Sequence, residues 1–414
     1  MPLNVIRPPI FSGLAAAVDL VTDELARRVA RSHDVIAYCA RGDGQPSVEQ
    51  SEGVEYRRVS TWLDHQLLHR QKFTRLMSFI DGPAAPQPLN NSTLWFRNFI
   101  SRVVSDLARR RPDIVHVMNI SQFVPIIRTR LPYARIVLHM QCQWLEDFDA
   151  AVLEPRIRAA DLVLGCSDFI TSGVRRRFPS LAQRCKHIYN GVDLARFARP
   201  GGVRPKPKQL LYVGRIAPEK GVHVLLDAFR VVVAQHPDAH LELIGPKLVL
   251  PLEVLFPGCD DPHVLKIKSY FRPETFHEIL RAKVSDLPSG SVSSFSSGLE
   301  FSELVSRYHS ASIFAFPPIC NDASPLTAYE ASACGLPIVS TWSGGIPEIV
   351  AHERSGLLVE RSDPQAVAGA ILQLLSNPDQ REAMAREAFE RASTIFSWDR
   401  IAEDLLAKYE ALFV

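Results

Sequence analysis

Two carboxylates, Asp322 and Glu330, stand with seven residues between them in a segment bordered by two apolar runs. The runs Ile313–Phe316 and 337–340 are typical of buried strands, and residues 326–334 are helix-forming and end before a glycine. This order places Asp322 in the loop after a strand and Glu330 in the next helix. Ligands of open parallel sheets bind at that edge, and one carboxylate accepts two hydroxyls. The pair therefore suits a ligand that carries both a sugar and a ribose.

The loop that carries Asp322 continues into the predicted helix through four residues: Ser324, Pro325, Leu326 and Thr327. The first N–H groups of a helix have no partner inside it, and they favour an anionic or polyhydroxylated ligand. We therefore expect these four residues to bind the same ligand as Asp322.

A second string, 213–221, follows a predicted strand and leads into a predicted helix. Gly214 allows a tight turn at the strand end. Arg215 and Lys220 flank the loop at the same edge of the sheet as Asp322. Two fixed cations beside a helix N-terminus make a site for a diphosphate.

Both strings resemble the retaining glycosyltransferases of the GT-B fold, family 4 (group 1). The signature of that family has two acidic residues at this spacing, an Ala-rich helix, a Gly-x-Pro and a strand, which stand here as Asp322-x7-Glu330 followed by 331–337. The family usually has Glu first. Asp322 keeps the charge and the spacing with a side chain one methylene shorter, which bears on the identity of the donor sugar. The resemblance is strong over 186–250 and 300–414.

The resemblance implies a role for each residue of these strings. Arg215 and Lys220 would hold the donor pyrophosphate and stabilise charge on the leaving diphosphate, in place of a divalent cation. Glu330 would hold the ribose. Asp322 would hold sugar hydroxyls and direct the anomeric carbon towards the acceptor.

Two further candidates lie in the first half of the chain. Gly13 corresponds to a turn that the family places against the donor phosphate, and His139 to a strand-end His that contacts the donor sugar. Related sequences often carry a second His two positions on, where this chain has Gln141, and which of the two side chains faces the donor stays open. The catalytic candidates are therefore Arg215, Lys220, Asp322 and His139, and the donor-binding candidates are Gly13, Gly214, Ser324, Pro325, Leu326, Thr327 and Glu330.

Apolar runs alternate with amphipathic stretches along the chain, which predicts an α/β fold with parallel sheets. The Pro- and Gly-rich basic stretch 199–208 predicts an interdomain linker. We expect a Rossmann-like acceptor domain at 1–198, a Rossmann-like nucleotide-sugar-binding domain at 199–395 and a final helix at 396–414. The resemblance implies the GT-B arrangement, in which the domains face each other across a cleft and the last helix returns to the first domain. Part of 251–299, where Pro and Ser cluster, predicts an insertion with a mobile tip.

The 414 residues include seven cysteines without a CxxC pair. This pattern predicts free thiols in a reducing compartment and no zinc site. No run reaches the roughly 18 apolar residues that cross a bilayer, and no signal-peptide pattern is visible. We expect a cytoplasmic protein that needs no cofactor and no metal.

The two halves of the chain differ in charge. Residues 1–200 carry 27 Lys and Arg against 19 Asp and Glu, and residues 201–414 carry 20 against 26. The basic half holds the runs 109–111 and 175–177 and the amphipathic stretch 63–80. Such a half favours anionic surfaces or acceptors, and no nucleic-acid motif accompanies it. We expect a peripheral contact with an anionic membrane at the inner face, or a phospholipid-type acceptor, although 63–80 also fits a helix packed on the sheet.

These expectations converge on a retaining, metal-independent hexosyltransferase. Its donor is a UDP- or GDP-sugar, and its acceptor is a lipid-linked or polysaccharide glycan of cell-surface biosynthesis. Two alternatives stay open: transfer to a small soluble acceptor, and a non-catalytic partner that keeps the sugar-nucleotide site. A nicotinamide-dependent oxidoreductase is disfavoured, because residues 7–13 lack the GxGxxG string.

The string Asp147-Phe148-Asp149 spells the DxD of metal-dependent glycosyltransferases, but it lies in a polar, helix-like stretch and does not directly follow an apolar strand. We predict that activity survives EDTA, because Arg215 and Lys220 supply the positive charge. Transfer assayed after exhaustive EDTA treatment should keep its rate. Loss of activity that Mn²⁺ or Mg²⁺ restores would instead assign a metal to Asp147 and Asp149.

Overall fold

The computed structural model describes residues 3–6, 15–68, 91–256, 258–295 and 299–414. The contacts within the chain divide it into two compact units. Unit 1 consists of Met1–Tyr189 together with Trp398–Val414, and unit 2 consists of Asn190–Ser397.

Unit 1 is built on a sheet whose described strands are β1 Leu3–Ile6, β2 Val35–Ala40, β3 Val48–Ser51, β4 Val54–Val59, β5 Ile114–Met118, β6 Arg135–Met140, β7 Leu162–Gly165 and β8 Cys185–His187. Their order across the sheet is β3-β4-β2-β1-β5-β6-β7-β8, with β3 antiparallel to β4 and the other pairs parallel. Every residue of β5 is buried, as expected of a parallel strand that is covered on both faces.

The described α-helices that connect the strands of unit 1 lie between them in the sequence. In chain order they are α1 Ala15–Val29, α2 Trp62–Leu68, α3 Arg97–Arg110, α4 Phe123–Arg130, α5 Trp144–Asp147, α6 Ala150–Arg158 and α7 Asp168–Arg177. Helix α3 shows why these segments are helical, because its buried residues recur at helical spacing and form one apolar stripe: Phe99, Ile100, Val103, Val104 and Leu107.

Unit 2 has a second parallel sheet. Its described strands are β9 Gln209–Val213, β10 His240–Ile244, β11 Val292–Phe295, β12 Ile313–Phe316, β13 Ile338–Thr341 and β14 Gly356–Val359. The order across the sheet is β11-β10-β9-β12-β13-β14. The chain therefore builds outwards from β9 in one direction and then, from β12, in the other, which is the doubly wound topology of a dinucleotide-binding fold.

The described α-helices of unit 2 lie before, between and after these strands in the sequence. They are α8 Leu194–Phe197, α9 Val222–Gln235, α10 Leu252–Leu255, α11 Pro262–Lys266, α12 Pro273–Ser285, α13 Phe301–Ser310, α14 Leu326–Ala333, α15 Ile346–Ile349, α16 Pro364–Ser376 and α17 Pro378–Thr394.

The last helix, α18 Trp398–Glu410, belongs to unit 1. It packs against α1, where Arg28 Nε and Arg31 Nη1 donate to Asp399 Oδ1 over 3.0 and 2.7 Å. Residues 190–198 belong to unit 2, where Phe197 O accepts hydrogen bonds from His309 Nε2 at 2.9 Å and Cys334 Sγ at 3.0 Å. The domain boundaries at residues 198 and 395 stay a prediction.

The α/β fold class with parallel, Rossmann-like sheets is confirmed, but the interpretation of 251–299 needs a correction. The Ser-rich end of that stretch was expected to belong to a mobile tip, whereas Val292–Phe295 forms β11 and pairs in parallel with β10. β11 is a short edge strand, so neither a long apolar run nor clear alternation marks it in the sequence.

The features that suggested a membrane are only partly described. Within the described ranges, no helix combines the length and the apolar composition that crossing a bilayer requires. Helix α2 covers the start of the stretch 63–80, with Trp62 65% and Leu63 49% exposed, and residues 69–80 lie outside the described ranges. The two arginine runs lie at the C-terminal ends of helices α3 and α7, where positive charge interacts favourably with the helix dipole.

Candidate functional site

The candidate site lies at the carboxyl edge of the unit 2 sheet, between β9 and β12. β9 pairs with β10 on one side and with β12 on the other, so the connections leave in opposite directions and a crevice opens between the two loops. The loop after β9 carries Arg215 and Lys220, and the loop after β12 carries Asp322. The fold therefore brings together three of the four residues expected to be catalytic.

Gly214 lies directly after β9 and keeps the loop attached to the sheet. Its N–H donates to Ile244 O over 2.9 Å, and Tyr212 OH donates to Arg215 O over 2.6 Å. The main chain of this loop is thus held on both sides of Gly214.

Lys220 and Asp322 form the central contact of the site. Lys220 Nζ donates to Asp322 Oδ2 over 2.6 Å, and the ring of Phe316 lies 5.9 Å from the same Nζ. Burial, the largest single influence, lowers the pKa of Lys220, but the acidic neighbours Asp322, Cys320 and Glu219 together outweigh it and the pKa is raised. The ammonium group therefore stays charged, beside a carboxylate that still has lone pairs for further donors.

Glu219 holds Arg215 and joins the two loops. Its Oε1 lies 2.6 Å from Arg215 Nη2, and its side chain is buried. Within the described part of the chain neither oxygen of this carboxylate has a hydrogen bond, so the contact is an ion pair whose N–H is not directed at the oxygen. The carbonyl of Glu219 accepts from Ile319 N at 2.9 Å and from Cys320 N at 3.3 Å.

The loop after β13 fixes the main chain of Asp322. Gly345 N donates to Asp322 O over 2.8 Å, and Asp322 N donates to Ser343 Oγ over 3.2 Å. Gly344 has a φ of +53°, and a Cβ at this position would lie 2.1 Å from Asp322 O. A residue without a side chain is therefore required for this close approach.

Part of the 251–299 segment supports the same loop from outside. Arg361 Nη1 donates to Asp261 Oδ2 over 2.6 Å and to Ile319 O over 3.0 Å. Burial raises the pKa of Cys320 to about 12, so this thiol stays neutral and packs as an apolar side chain. Its buried neighbours come from that segment: Leu252, Val264 and Phe271.

The start of α14 supplies main-chain donors beside Asp322. Pro325 is the residue before the helix and provides no side-chain cap, so the N–H groups of Leu326 and Thr327 in the first turn are not capped by it. Ser324 Oγ lies 2.8 Å from Tyr329 OH, which fixes the approach of the chain to the helix. The structure places Ser324, Pro325, Leu326 and Thr327 at the carboxyl edge of the sheet, and their binding of a ligand stays a prediction.

Glu330 lies further along α14 and is held by a buried tyrosine. Tyr308 OH donates to Glu330 Oε2 over 2.7 Å. Burial raises the pKa of Glu330, although the Tyr308 hydrogen bond and the charge of Arg196 oppose this shift. This hydrogen bond uses one of the two carboxylate oxygens.

The first-half candidates lie in unit 1 or outside the described residues. His139, in β6, is buried, and its Nδ1 lies 3.2 Å from His116 Nε2. Its Nε2 lies 3.0 Å from Gln141 Nε2, so the two residues between which the sequence left the donor contact open belong to one cluster. Burial lowers the pKa of His139 to about 3. Gly13 lies outside the described residues.

The DxD string has a structural role. Asp147 ends α5, and Asp149 Oδ1 accepts from Ala151 N over 2.7 Å at the start of α6. Among the residues that the structure describes, no group of three or more His, Cys, Asp or Glu side chains could hold a metal ion.

Four supporting residues were not assigned a role from the sequence. Glu219 lies inside the string that carries Arg215 and Lys220, and its position between two cations was a usable signal. Tyr308, Ser343 and His116 have no such signal, because their partners are distant in the chain: Glu330, Asp322 and His139.

Comparison with known proteins gives the family. The sequence profile of the family described as "Glycosyl transferases group 1" matches residues 195–391, and that of "Glycosyltransferase Family 4" matches residues 18–196. A D-inositol 3-phosphate glycosyltransferase of Jonesia denitrificans is 32% identical over 425 residues, which cover 96% of this chain and 92% of that relative. This chain belongs to the group 1 glycosyltransferases.

Solved structures of similar fold cover this glycosyltransferase along its whole length. Sucrose-phosphate synthase from Thermosynechococcus elongatus is similar with a TM-score of 0.74 and 20% identity, over 100% of this chain and 99% of that chain. Anabaena HepE, solved in complex with UDP-glucose, is similar with a TM-score of 0.68 and 18% identity, over 99% and 100%. The GT-B fold class expected from the resemblance is confirmed.

We predict that Gly344→Ala impairs this glycosyltransferase by moving Asp322. The new Cβ would clash with the Asp322 carbonyl at 2.1 Å, and the φ of +53° would strain an Ala residue. A displacement of about 1 Å in a catalytic geometry costs on the order of 100-fold in rate. Glycosyl transfer should fall by about that factor, and thermal unfolding should show a loss of about 1–3 kcal/mol.

Gly369→Ala is the matched control. Gly369 lies inside α16, and a Cβ there would meet nothing within 4 Å. This variant should keep its transfer rate and gain up to about 1 kcal/mol from helix propensity. A Gly344→Ala enzyme as active as the Gly369→Ala enzyme would contradict the close packing of Gly344 on Asp322.

Proposed function

We propose that this glycosyltransferase binds a nucleoside diphosphate hexose, linked to UDP or GDP, in the unit 2 site and transfers the hexose with retention and without a metal. The observation that carries the proposal is the Lys220–Asp322 contact of 2.6 Å at the point where the strand order reverses. This contact places the Lys220 ammonium group, which can bind a phosphate, beside the Asp322 carboxylate, which can accept hydrogen bonds from sugar hydroxyls. The UDP-glucose named for Anabaena HepE supports a UDP-sugar as the donor.

The diphosphate of the donor would lie between Arg215, Lys220 and the start of α14. Arg215 and Lys220 contribute two positive charges, which Glu219 and Asp322 balance before a ligand enters. The N–H groups of the first helical turn add uncharged donors on the other side. As the bond to the sugar breaks, negative charge grows on the leaving diphosphate, and these fixed donors stabilise it.

The two carboxylates would bind the two sugars of the donor. Glu330 offers its second oxygen to the ribose, while Tyr308 holds the first. Asp322 would accept hydroxyls of the hexose and turn the anomeric carbon to the acceptor. Gly214, Ser324 and Pro325 would line the same edge with main-chain atoms, and in unit 1 His139 would contact the hexose.

Retention follows from attack on the face that the diphosphate leaves. The acceptor oxygen forms its bond to the anomeric carbon while the bond from that carbon to the phosphate oxygen breaks. The proton of the acceptor hydroxyl moves to the departing phosphate, which acts as the base. In this scheme Asp322 binds hydroxyls and is not the nucleophile, in keeping with its close contact to Lys220.

The acceptor that we propose is an anionic or lipid-linked glycan bound by unit 1. The support is the charge of residues 1–200, 27 Lys and Arg against 19 Asp and Glu. The seven free cysteines support a cytoplasmic enzyme. Transfer to a small soluble acceptor is the second candidate, and the name of the Jonesia denitrificans relative, which specifies inositol 3-phosphate, favours a phosphorylated one.

We predict that Arg215→Ala and Lys220→Ala each raise the barrier to transfer by about 2–4 kcal/mol, as for a lost oxyanion contact. The donor is chosen first from a thermal-shift panel of UDP-, GDP- and ADP-sugars, because a ligand that binds the folded state raises its stability. Steady-state kinetics then give kcat/KM for each variant. Near-native rates for both variants would show that the diphosphate does not bind here.

Two controls separate catalysis from folding. Arg230→Ala and Lys266→Ala remove exposed charges of unit 2 and should leave kcat/KM unchanged. A double-mutant cycle of Lys220→Ala with Asp322→Asn measures the coupling between these groups. A coupling energy near zero, for stability and for transfer, would mean that the ion pair is unimportant in solution.

We also predict reversible binding to anionic liposomes through the stretch 63–80. Binding should rise with anionic lipid content and fall with salt, since each basic residue near such a surface contributes about 1 kcal/mol. Arg70, Lys72 and Arg75, which lie outside the described residues, are replaced together by Ser. Cosedimentation should weaken while donor binding is kept.

The control triple variant changes Lys266, Lys268 and Arg272 of unit 2 to Ser, which removes the same charge from an exposed region. It should sediment with anionic liposomes as the unmodified protein does. Equal sedimentation of the unmodified protein with neutral and anionic liposomes would remove the membrane proposal and favour a soluble acceptor.

A further inference from the structure

A buried line of hydrogen-bonding side chains joins the last helix to His139 in unit 1. His116 Nδ1 lies 2.5 Å from Tyr409 OH, and His116 Nε2 lies 3.2 Å from His139 Nδ1. His139 Nε2 then lies 3.0 Å from Gln141 Nε2. Tyr409 is on α18, His116 on β5 and His139 on β6, so three elements contribute to one line.

The two histidines of this line are neutral. His116, His139 and Tyr409 are each no more than 2% exposed. Burial lowers the pKa of both imidazoles far below the usual value, and for His116 the neighbouring His139 adds to the effect. A neutral imidazole carries one proton, so each ring has one N–H donor and one nitrogen acceptor.

The tyrosine determines which nitrogen carries each proton. Among the residues that the structure describes, the only hydrogen-bond partner of the buried Tyr409 hydroxyl is His116 Nδ1. Since a buried hydroxyl without an acceptor is costly, it donates to that nitrogen. His116 then has its proton on Nε2 and donates to His139 Nδ1. His139 is left with its proton on Nε2, towards the Gln141 carboxamide, which accepts after a half-turn that exchanges its oxygen and nitrogen.

We propose that Tyr409 and His116 are positioning residues that hold His139 as a neutral hydrogen-bond donor through Nε2. The catalytic meaning of this inference rests on the proposed function, in which His139 contacts the hexose. Gln141 accepts the Nε2 proton, and a sugar oxygen of the bound nucleotide sugar would take the place of the Gln141 carboxamide. Through Tyr409, helix α18 would thus fix the proton of His139 in addition to packing against α1.

The main chain at His139 is held as firmly as its ring. Asn119 N donates to His139 O over 2.8 Å, and Asn119 Oδ1 accepts from Gln141 N over 2.6 Å. Asn119 is itself buried, at a φ of +61°. The ring of His139 therefore has little freedom except for the position of its proton, which is the property that Tyr409 controls.

The test is Tyr409→Phe, which keeps the ring packing and removes one oxygen. In uniformly ¹⁵N-labelled protein, long-range ¹H–¹⁵N correlations distinguish the two neutral forms of a histidine, and a His139→Asn sample assigns the signal. His139 should carry its proton on Nε2 in the unmodified protein and become a mixture of both forms in Tyr409→Phe. A proton on Nδ1 in the unmodified protein, or an unchanged signal in Tyr409→Phe, would overturn the proposal.

Tyr38→Phe is the matched control, because Tyr38 is also buried in unit 1 and its hydroxyl donates to Asp106 Oδ2 over 2.8 Å, away from His139. This variant should leave the His139 signal and the transfer rate unchanged. In Tyr409→Phe, kcat should fall about tenfold, the equivalent of one hydrogen bond, with donor affinity unchanged. A loss of donor affinity equal to the loss of kcat/KM would assign Tyr409 to folding or binding.

The proposed function and the positioning role fail in different ways. If His139→Ala transfers hexose at the native rate, His139 has no part in the reaction, and the NMR signal still decides whether Tyr409 sets its proton. If His139→Ala is impaired but Tyr409→Phe keeps a native rate and a native His139 signal, the proposed function stands and the positioning role is wrong.

Discussion

The ion pair of Lys220 and Asp322 is the interaction on which the unit 2 site depends. It joins the loops after β9 and β12 through their side chains, in addition to the main-chain hydrogen bonds from Ile319 N and Cys320 N to Glu219 O. A charge that is removed from water is costly without a partner, so each group keeps the other in place. The same two groups are those that a diphosphate and a sugar hydroxyl would contact. The ion pair thus holds the site in an arrangement close to the one that the proposed reaction needs.

Backbone contacts make this arrangement rigid. The carbonyl of Glu219 accepts two N–H groups of the neighbouring loop, and the main chain of Asp322 is bonded on both sides to the loop after β13. Arg361 adds a bond to the carbonyl of Ile319 and a pair with Asp261 of the 251–299 segment. None of these bonds uses the side chains of Lys220 and Asp322, which the proposed function assigns to the ligand.

In unit 1 the burial of side chains matters more for the proposed site than the excess of positive charge does. Its arginine runs lie at the C-terminal ends of helices. There they form ion pairs with acidic neighbours such as Asp106 and interact favourably with the helix dipole. The cluster around His139 is buried, and burial keeps its imidazoles neutral. A neutral ring acts through the direction of its single N–H group, so its chemistry depends on neighbours that fix the proton. In this protein the final helix supplies such a neighbour.

The sequence by itself determined the α/β class, most strand and helix positions and the residues at the carboxyl edge of the second sheet. The periodicity of apolar residues and the positions of turn residues indicate local backbone geometry. This information was sufficient to place Arg215, Lys220, Asp322 and Glu330 on two loops and a helix. The pairing of Tyr308 with Glu330, and of His116 with Tyr409 across 293 positions, was decided by the tertiary structure alone. Such contacts depend on how helices pack on sheets, and a buried aromatic or histidine has the same pattern in the sequence whether it only fills the core or also holds a functional group.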